Sequence, residues 1–522
     1  MRYLKSIRVV TSIIFIVLTT ILFLDFTNLL SGKWDNAILS FQFVPSLLKL
    51  FRGVSYVAIG FIGFTLLSFV FGRWYCSFVC PLGILQDIFI RINKFVFRKK
   101  RIKYSYHNSV PWLKHFVFVI TLLFMLFGST AMFILLDPFS NYGRIATHIL
   151  QPIYLFFNNV IALVVNKMGY YGIYHIEIQA FDFASFIFAL FIVFLLLLFT
   201  HKRGRLFCNT LCPVGAFLGK TSNISLFKLK ISKNRCISCG LCELECKAES
   251  IDSKNQTIDF NRCVSCFNCI DVCSESAITY QLIKKGDIQK VDKSRRNTLK
   301  TLFAGVVGVS GLSFTINKEQ FSSFKSKTPT ISKYPVIPPG AISLEHYKST
   351  CIACHLCVSS CPSKVIQSTF AEFGFDGLLI PKMDYGVNYC QFECNLCGEV
   401  CPTGAIKPLK IDNKKVTQIG KVTFVKDNCV VSQIEQDCGA CAEHCPTKAV
   451  KMVPYNGKNN KKLLIPEVNT SLCIGCGACE YACPVRPYKA IYVESNINHL
   501  IAQKPTIEKL EQKGNKEQDF PF

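Results

Sequence analysis

Residues 236–246 read Cys236-Ile237-Ser238-Cys239-Gly240-Leu241-Cys242-Glu243-Leu244-Glu245-Cys246. The spacing is C-x-x-C-x-x-C-x-x-x-C. Three thiolates on one tight loop hold three irons of a cubane, and the fourth cysteine commonly reaches the neighbouring cluster. The run recurs at Cys263, Cys266, Cys269 and Cys273. By that rule Cys236, Cys239, Cys242 and Cys273 form one site, and Cys263, Cys266, Cys269 and Cys246 the other. Zinc sites more commonly set two separated C-x-x-C pairs around one tetrahedral ion. Lys247 and Ser274 stand where a proline usually follows the fourth cysteine, which leaves ligation intact but puts the loop geometry in doubt.

Four more runs follow. Cys351, Cys354, Cys357 and Cys361 precede Pro362; Cys473, Cys476, Cys479 and Cys483 precede Pro484. Cys390, Cys394, Cys397 and Cys401 carry one extra residue after the first cysteine, and in Cys429, Cys438, Cys441 and Cys445 the first cysteine is displaced. The chain has 28 cysteines, and the six runs account for all but Cys76, Cys80, Cys208 and Cys212. That partition predicts six [4Fe-4S] clusters rather than a disulfide framework, which belongs to short secreted chains. How the last four runs pair is open: neighbours in order, or the outer two around the inner two.

Half of the 522 residues are hydrophobic, more than a soluble chain of this length usually carries. Four apolar stretches, 9–30, 53–71, 116–136 and 183–200, approach the ~20 residues that cross a bilayer. A fifth, 149–165, is interrupted by Pro152, Asn158 and Asn159 and reads as an interfacial or re-entrant helix. The net charge of +25 flanks these stretches. Arg2, Lys5 and Arg8, a cluster from Arg73 to Lys114, and Lys202, Arg203 and Arg205 mark cytoplasmic segments, whereas the loop 137–182 has only Arg144 and Lys167. No nucleic-acid motif accompanies the charge, so no nucleic-acid partner is expected.

The second and fourth stretches are followed by matching segments. Gly72-Arg73-Trp74-Tyr75-Cys76-Ser77-Phe78-Val79-Cys80-Pro81-Leu82-Gly83 aligns with Gly204-Arg205-Leu206-Phe207-Cys208-Asn209-Thr210-Leu211-Cys212-Pro213-Val214-Gly215. The unit therefore reads as two repeated hairpins, a parallel repeat about an axis along the membrane normal. Cysteines at i and i+4 share a helix face, and the proline after the second ends or bends the turn. Cys76, Cys80, Cys208 and Cys212 are thus a candidate joint redox or metal site.

The fold expected is a helical four-helix membrane unit (1–220) followed by α+β bacterial ferredoxin-like domains. A dicluster domain spans 221–290. A linker spans 291–345, a four-cluster domain 346–500 and a tail 501–522. Within the linker, 294–300 approximates a twin-arginine signal, with Thr298 where Phe is usual, ahead of a Gly-rich apolar stretch, 302–316, without a convincing cleavage site. No facing histidine pair for haem is evident among His115, His148 and His201. No G-x-G-x-x-G unit or P-loop is present, so neither flavin nor NAD is expected. His355 and His444, inside cysteine runs, have two readings, tuning of cluster potentials by hydrogen bonding and solvent exposure, of which exposure is the expected one.

Residues 1–290, with the doubled C-x-x-x-C-P motif and the ferredoxin domain, resemble the NapH family of ferredoxin-type membrane proteins. Residues 291–500 resemble NapG, a separate partner protein in that family, and similar units sit in NosR-like and CcoG-like 4Fe-4S membrane proteins. The resemblance implies a multi-pass protein of the bacterial inner membrane that takes electrons from menaquinol or another quinol of the quinone pool. It would deliver them to a periplasmic reductase or small electron carrier, with 201–300 cytoplasmic and 320–522 periplasmic. Two other classes are compatible with the residues: an assembly or reactivation factor that reduces a partner's metal centre or thiol, and a cytoplasmic ferredoxin:quinone module. With the first two cluster sites inside and the last four outside, something must bridge the bilayer, and the residues alone do not name it.

Overall fold

The computed structural model describes residues 3–25, 32–50, 59–96, 104–106, 111–169, 171–176, 182–282, 328–330, 332–456 and 462–504. The twin-arginine-like segment 294–300, the apolar stretch 302–316 and most of the tail lie outside the described residues.

The first half is helical. Helix α1, Tyr3–Leu24, is about 33 Å long at 1.5 Å per residue, enough to cross a bilayer. Short helices α2 (Gly32–Ser40) and α3 (Phe43–Leu50) follow it, then α4 (Ile59–Phe71). The first repeated motif forms α5 (Tyr75–Phe78) and opens α6 (Pro81–Val96); α7 (Pro111–Leu126) comes next. Tyr3–Leu24, Pro138–Lys167 and Phe183–His201 are long and apolar enough to span a membrane, and Gly60–Phe71 and Trp112–Leu126 are shorter apolar helices.

Two sequence expectations change here. The stretch 116–136 is not one helix. It stops at Leu126, turns through Gly128 at φ +76° and restarts as α8, Ala131–Leu136. The break frees Ser129 and Thr130 to bond the C-terminal domain. Ser129 Oγ reaches Asp376 at 3.0 Å, and Thr130 Oγ1 donates to the carbonyls of Lys348 and Cys351 at 3.0 and 2.9 Å.

The segment expected as a loop, with 149–165 as an interfacial piece, is a continuous helical run from Pro138 to Lys167. It comprises α9 (Pro138–Ile145), one π-type turn (Ala146–Leu150) and α10 (Gln151–Lys167). Asp137 caps α9, accepting the Ser140 N–H at 2.8 Å. The π-type turn lies directly before Pro152, which cannot donate to the ladder and enters at the first turn of α10. Asn158 and Asn159, which break the apolar pattern, hold the returning segment through Tyr174 and Ile176. Helices α11 (Phe183–Arg203), α12 (Leu206–Thr210) and α13 (Pro213–Ser222) complete the unit.

The cysteine-rich parts are α+β, built on two-stranded antiparallel sheets. In the first, Phe227–Ile231 pairs with Ile278–Leu282, Phe227 opposite Leu282 and Ile231 opposite Ile278. The C-terminal domain pairs Thr417–Phe424 with Ile491–Ile501 and Val450–Asn456 with Lys462–Val468.

Helix α1 orders the whole. Near its start Lys5 Nζ meets Asp271 of the first ferredoxin domain at 2.5 Å. Near its end Phe23 is fully buried against Phe139 and Tyr142, beside Gly143. A Cβ on Gly143 would lie 2.3 Å from the Cys354 carbonyl of the C-terminal domain. The two cysteine-rich parts therefore sit at opposite ends of α1. One apolar core joins them, running from Cys246, Cys263, Cys266 and Cys269 through Cys76, Cys80, Cys208 and Cys212 to Cys354.

Candidate iron–sulfur and redox site

The cluster loops share an unusual backbone. In each regular run the residues on either side of the second cysteine are left-handed: Ser238 and Gly240, Ser265 and Phe267, Ala353 and His355, Gly475 and Gly477, with φ from 49° to 78°. Five of these eight carry a side chain, and each such residue costs about 1–3 kcal/mol unless its surroundings impose it. The residue three after the fourth cysteine is left-handed in five runs, at Glu249, Ser276, Lys364, Gly404 and Lys448. Lys247 and Ser274 therefore leave the loop shape unchanged despite the missing proline. Backbone N–H groups are aimed at sulfur. Ala353, Gly475, Ser250 and Ala277 donate to Cys351, Cys473, Cys246 and Cys273, each at 3.4 Å. Such donors favour anionic sulfur. The altered runs differ here: Asn395 and Gly439, directly after their second cysteines Cys394 and Cys438, keep negative φ, and neither Glu393 nor Asp437 before those cysteines is left-handed.

The sulfurs gather in fours. Cys242 lies in the electrostatic reach of Cys236, Cys239 and Cys273, and Cys269 in that of Cys266, Cys263 and Cys246. In the C-terminal domain Cys357 groups with Cys351, Cys354 and Cys401, while Cys397 groups with Cys390, Cys361 and Cys394. Cys479 groups with Cys476, Cys473 and Cys445, and Cys441 with Cys438, Cys429 and Cys483. The runs pair in chain order, each lending its fourth cysteine to its neighbour. The Cys390 N–H donates to the Cys476 carbonyl at 2.9 Å, so the two pairs abut. Among the described residues no three His, Cys, Asp or Glu side chains converge closely enough for a single ion. A zinc ion would need its sulfurs at about 2.3 Å; a cubane holds its thiolates farther apart. The residues fit [4Fe-4S] groups.

Cys76, Cys80, Cys208 and Cys212 are all buried and meet at the junction of the two repeated motifs. Burial, then the neighbouring thiols, push Cys80 and Cys212 well up. Cys212 caps α13, its Sγ accepting the Gly215 N–H at 3.3 Å, and Cys80 accepts the Gly83 N–H at the start of α6 in the same way.

The motifs clasp each other reciprocally. Arg73 Nη2 donates to the Cys208 carbonyl at 3.1 Å, and Arg205 Nη1 to the Cys76 carbonyl at 2.7 Å. Each carbonyl is also pressed by its own motif's glycine. A Cβ on Gly83 would lie 2.4 Å from Cys76 O, and one on Gly215 2.2 Å from Cys208 O. The residues after the first cysteines reach the ferredoxin domain: Ser77 donates to Val264 O at 2.6 Å and Asn209 to Ala248 O at 3.1 Å.

Sequence reasoning counted Arg8, Arg73, Lys114 and Arg205 as loop charges, but all four are buried. Arg8, Arg205 and Lys247 converge on Asp87 of α6. Burial alone would raise the Asp87 pKa, yet those three cations hold it far below the usual carboxylate range. Burial lowers Lys247 to about 8. The signal for the arginines was present, since both repeats begin G-R. His355, expected in solvent, is fully buried and bonds His148 of the π-type turn at 2.7 Å and Leu379 O at 2.8 Å. This is a facing histidine pair that the sequence did not reveal, but its rings touch directly and leave no space for haem.

Comparisons with known proteins agree with this geometry. A profile described as a 4Fe-4S binding domain matches twice, at residues 56–104 and 181–234, once over each repeated motif. A 4Fe-4S dicluster domain matches at 350–405 and 434–486, and a further 4Fe-4S binding domain at 233–249. The chain is an iron–sulfur electron-transfer protein with ferredoxin-type domains. Two uncharacterized proteins of Methanocaldococcus jannaschii are similar. One is 24% identical over 222 residues, 42% of this chain and 68% of its own length. The other is 26% identical over 196 residues, 36% of this chain and 66% of its own. The methylamine utilization ferredoxin-type protein MauM of Methylobacillus flagellatus is 28% identical over 142 residues, 27% of this chain and 58% of its own.

Proposed function

We propose that this protein takes electrons from a quinol within the membrane and passes them to a reductase system or small carrier on the outer side. The observation that carries this reading is an apolar cavity of about 160 Å³ between α3, α4, α7 and α13. Phe43, Phe61, Phe118, Val214 and Phe217 line it, together with Pro213, the residue directly after Cys212. A concave apolar site next to four buried thiols suits a quinone ring and its prenyl tail. The clusters held by the 24 cysteines of the six runs supply one-electron storage. The chain's own residues supply the rest: the aromatic walls exclude water, and the left-handed loops and aimed N–H groups hold the sulfurs. The placement of the two cysteine-rich parts at opposite ends of α1, with Lys5 and Arg8 at the first, supports a cytoplasmic 201–300 and a periplasmic C-terminal domain. It also supports the NapH-like and NapG-like parts as one unit.

The test is anaerobic reduction of the detergent-purified protein by a menaquinol analogue, followed by EPR and visible spectra. Val214→Trp, which fills the cavity, should slow reduction by quinol at least tenfold and leave reduction by dithionite unchanged. Full iron content with no reduction by quinol, but rapid reduction by ferredoxin, would overturn the quinol reading in favour of a ferredoxin-driven module.

A further inference from the structure

The two cysteine-rich parts face each other across the membrane unit, and the four thiols of the repeated motifs lie between them in one buried core. We propose that Cys76, Cys80, Cys208 and Cys212 together hold one further iron–sulfur cluster, a seventh, which links the inner and outer clusters into a single path through the membrane.

Charge is the first argument. Arg73 is fully buried, and its partners are all neutral oxygens: Asn209 Oδ1 at 2.8 Å and the carbonyls of Asn261, Arg262 and Cys208. No carboxylate lies within ion-pair distance of it among the described residues. Its Nη2 lies 3.9 Å from Cys76 Sγ, and its Nε has no partner. A buried cation without a counter-charge is costly. Nearby, Arg8, Arg205 and Lys247 share the single carboxylate Asp87, and among the described residues Lys114 Nζ bonds only oxygens of Asn261. The buried basic groups around the four sulfurs outnumber the carboxylates, and a cluster ligated by four thiolates is an anion that balances them.

The ligand set is the second argument. Gln86, also fully buried, turns Oε1 toward Cys208 Sγ at 3.5 Å and leaves Nε2 unpartnered beside the thiols. Cys80 and Cys212 each stand at a helix start, where N–H groups favour thiolate sulfur. The motifs clasp each other reciprocally, Arg73 on the Cys208 carbonyl and Arg205 on the Cys76 carbonyl, and bring the four thiols within electrostatic reach of one another. Among the described residues no three of them converge closely enough to hold a single ion.

Position is the third. On one side Ser77 and Asn209 hold Val264 and Ala248, so the site abuts the group of Cys263, Cys266, Cys269 and Cys246. On the other, the core continues to Cys354. The step asked of the site is minimal. It accepts one electron from a neighbouring cluster and yields one to the next, and no bond or proton changes hands. The inference does not depend on quinol being the donor.

The experiment is iron and sulfide analysis with a redox-titrated EPR series on the full, anaerobically purified chain. The six runs account for about 24 irons, and this site adds about two or four. Cys76→Ala/Cys212→Ala should lose that increment and one spectral component and keep the rest. If that variant fails to accumulate, Arg73→Gln serves instead. Removing the positive charge should lower one midpoint potential, by about 59 mV for each tenfold change in the one-electron equilibrium, and leave the others in place. A wild-type count no higher than the six runs explain, one zinc per chain, or an Arg73→Gln titration without a moved component would overturn the inference. Quinol reactivity enters none of these readouts.

Discussion

Replacing Asp87 with asparagine removes the one carboxylate shared by three buried cations. The side chains of Arg8, Arg205 and Lys247 are 6%, 0% and 5% exposed, and Asp87 itself is 12% exposed. These residues belong to α1, to the second repeated motif and to the first ferredoxin domain, so one carboxylate pins three parts of the chain together. Breaking one buried ion pair typically costs about 3–5 kcal/mol, because the remaining charge stays buried without compensation. Here three charges are stranded, so the upper part of that range is expected. At about 2–4 °C per kcal/mol, the unfolding midpoint should fall by roughly 10 °C or more. The assay is a thermal scan in detergent at fixed rate, with limited proteolysis to follow release of residues 221–282. Glu372→Gln is the control. It breaks the Lys382–Glu372 pair, in which Glu372 is half exposed, and an exposed pair is worth about 0–1 kcal/mol. A fall of less than 2 °C for Asp87→Asn, equal to the control, would refute the claim that this carboxylate holds the ferredoxin domain to the membrane unit.

Other expected outcomes follow from the same structure. Gly215→Ala forces a methyl group against the Cys208 carbonyl and should destabilise by about 1–3 kcal/mol, whereas Gly63→Ala, which meets nothing within 4 Å, should be neutral or slightly stabilising; thermal scans compare the two. Cys354→Ala and Cys401→Ala together should lose no more iron than either alone, about four atoms, while Cys397→Ala with Cys401→Ala should lose about eight; the reverse would mean that each run keeps its own fourth cysteine. Burial lowers His499 to about 4, and neither ring nitrogen has a hydrogen-bond partner among the described residues. As pH falls from 6.5 toward 4 the unfolded chain takes up a proton that the folded chain refuses. The share of stability that His499 contributes should therefore fall by about 1.4 kcal/mol per pH unit in that window and stay level above it. Unfolding midpoints at pH 7.5 and 5.5 should separate in the wild type and lie closer together in His499→Phe, where His355, fully buried and held low in the same way, keeps part of the separation.

Cysteine spacing alone specified the ferredoxin loops and the partition of 24 cysteines from four. That is a local property: three ligands within seven residues must share one loop, whatever surrounds it. The doubled G-R-x-aromatic-C-x-x-x-C-P segment was equally legible as a repeat, because near-identical residues build near-identical turns. The partners of those residues were not legible. Arg73 and Arg205 looked like loop charges because charge in a sequence carries no depth; only packing showed that each caps the other motif's cysteine carbonyl. The pairing of the last four runs was undecidable because the fourth cysteine bonds outside its own run, at a distance set by how the sheets fold. His355 read as exposed because a histidine after a cysteine has no pattern of its own, yet docking against the π-type turn buried it on His148. The apolar stretch 116–136 read as one span because Ser129 and Thr130 hardly interrupt its hydropathy; in the structure the helix breaks there, and both residues bond a domain more than 200 residues away. Local chemistry named the ligands. Long-range contact decided which of them meet, and set the four membrane thiols between the two ferredoxin domains.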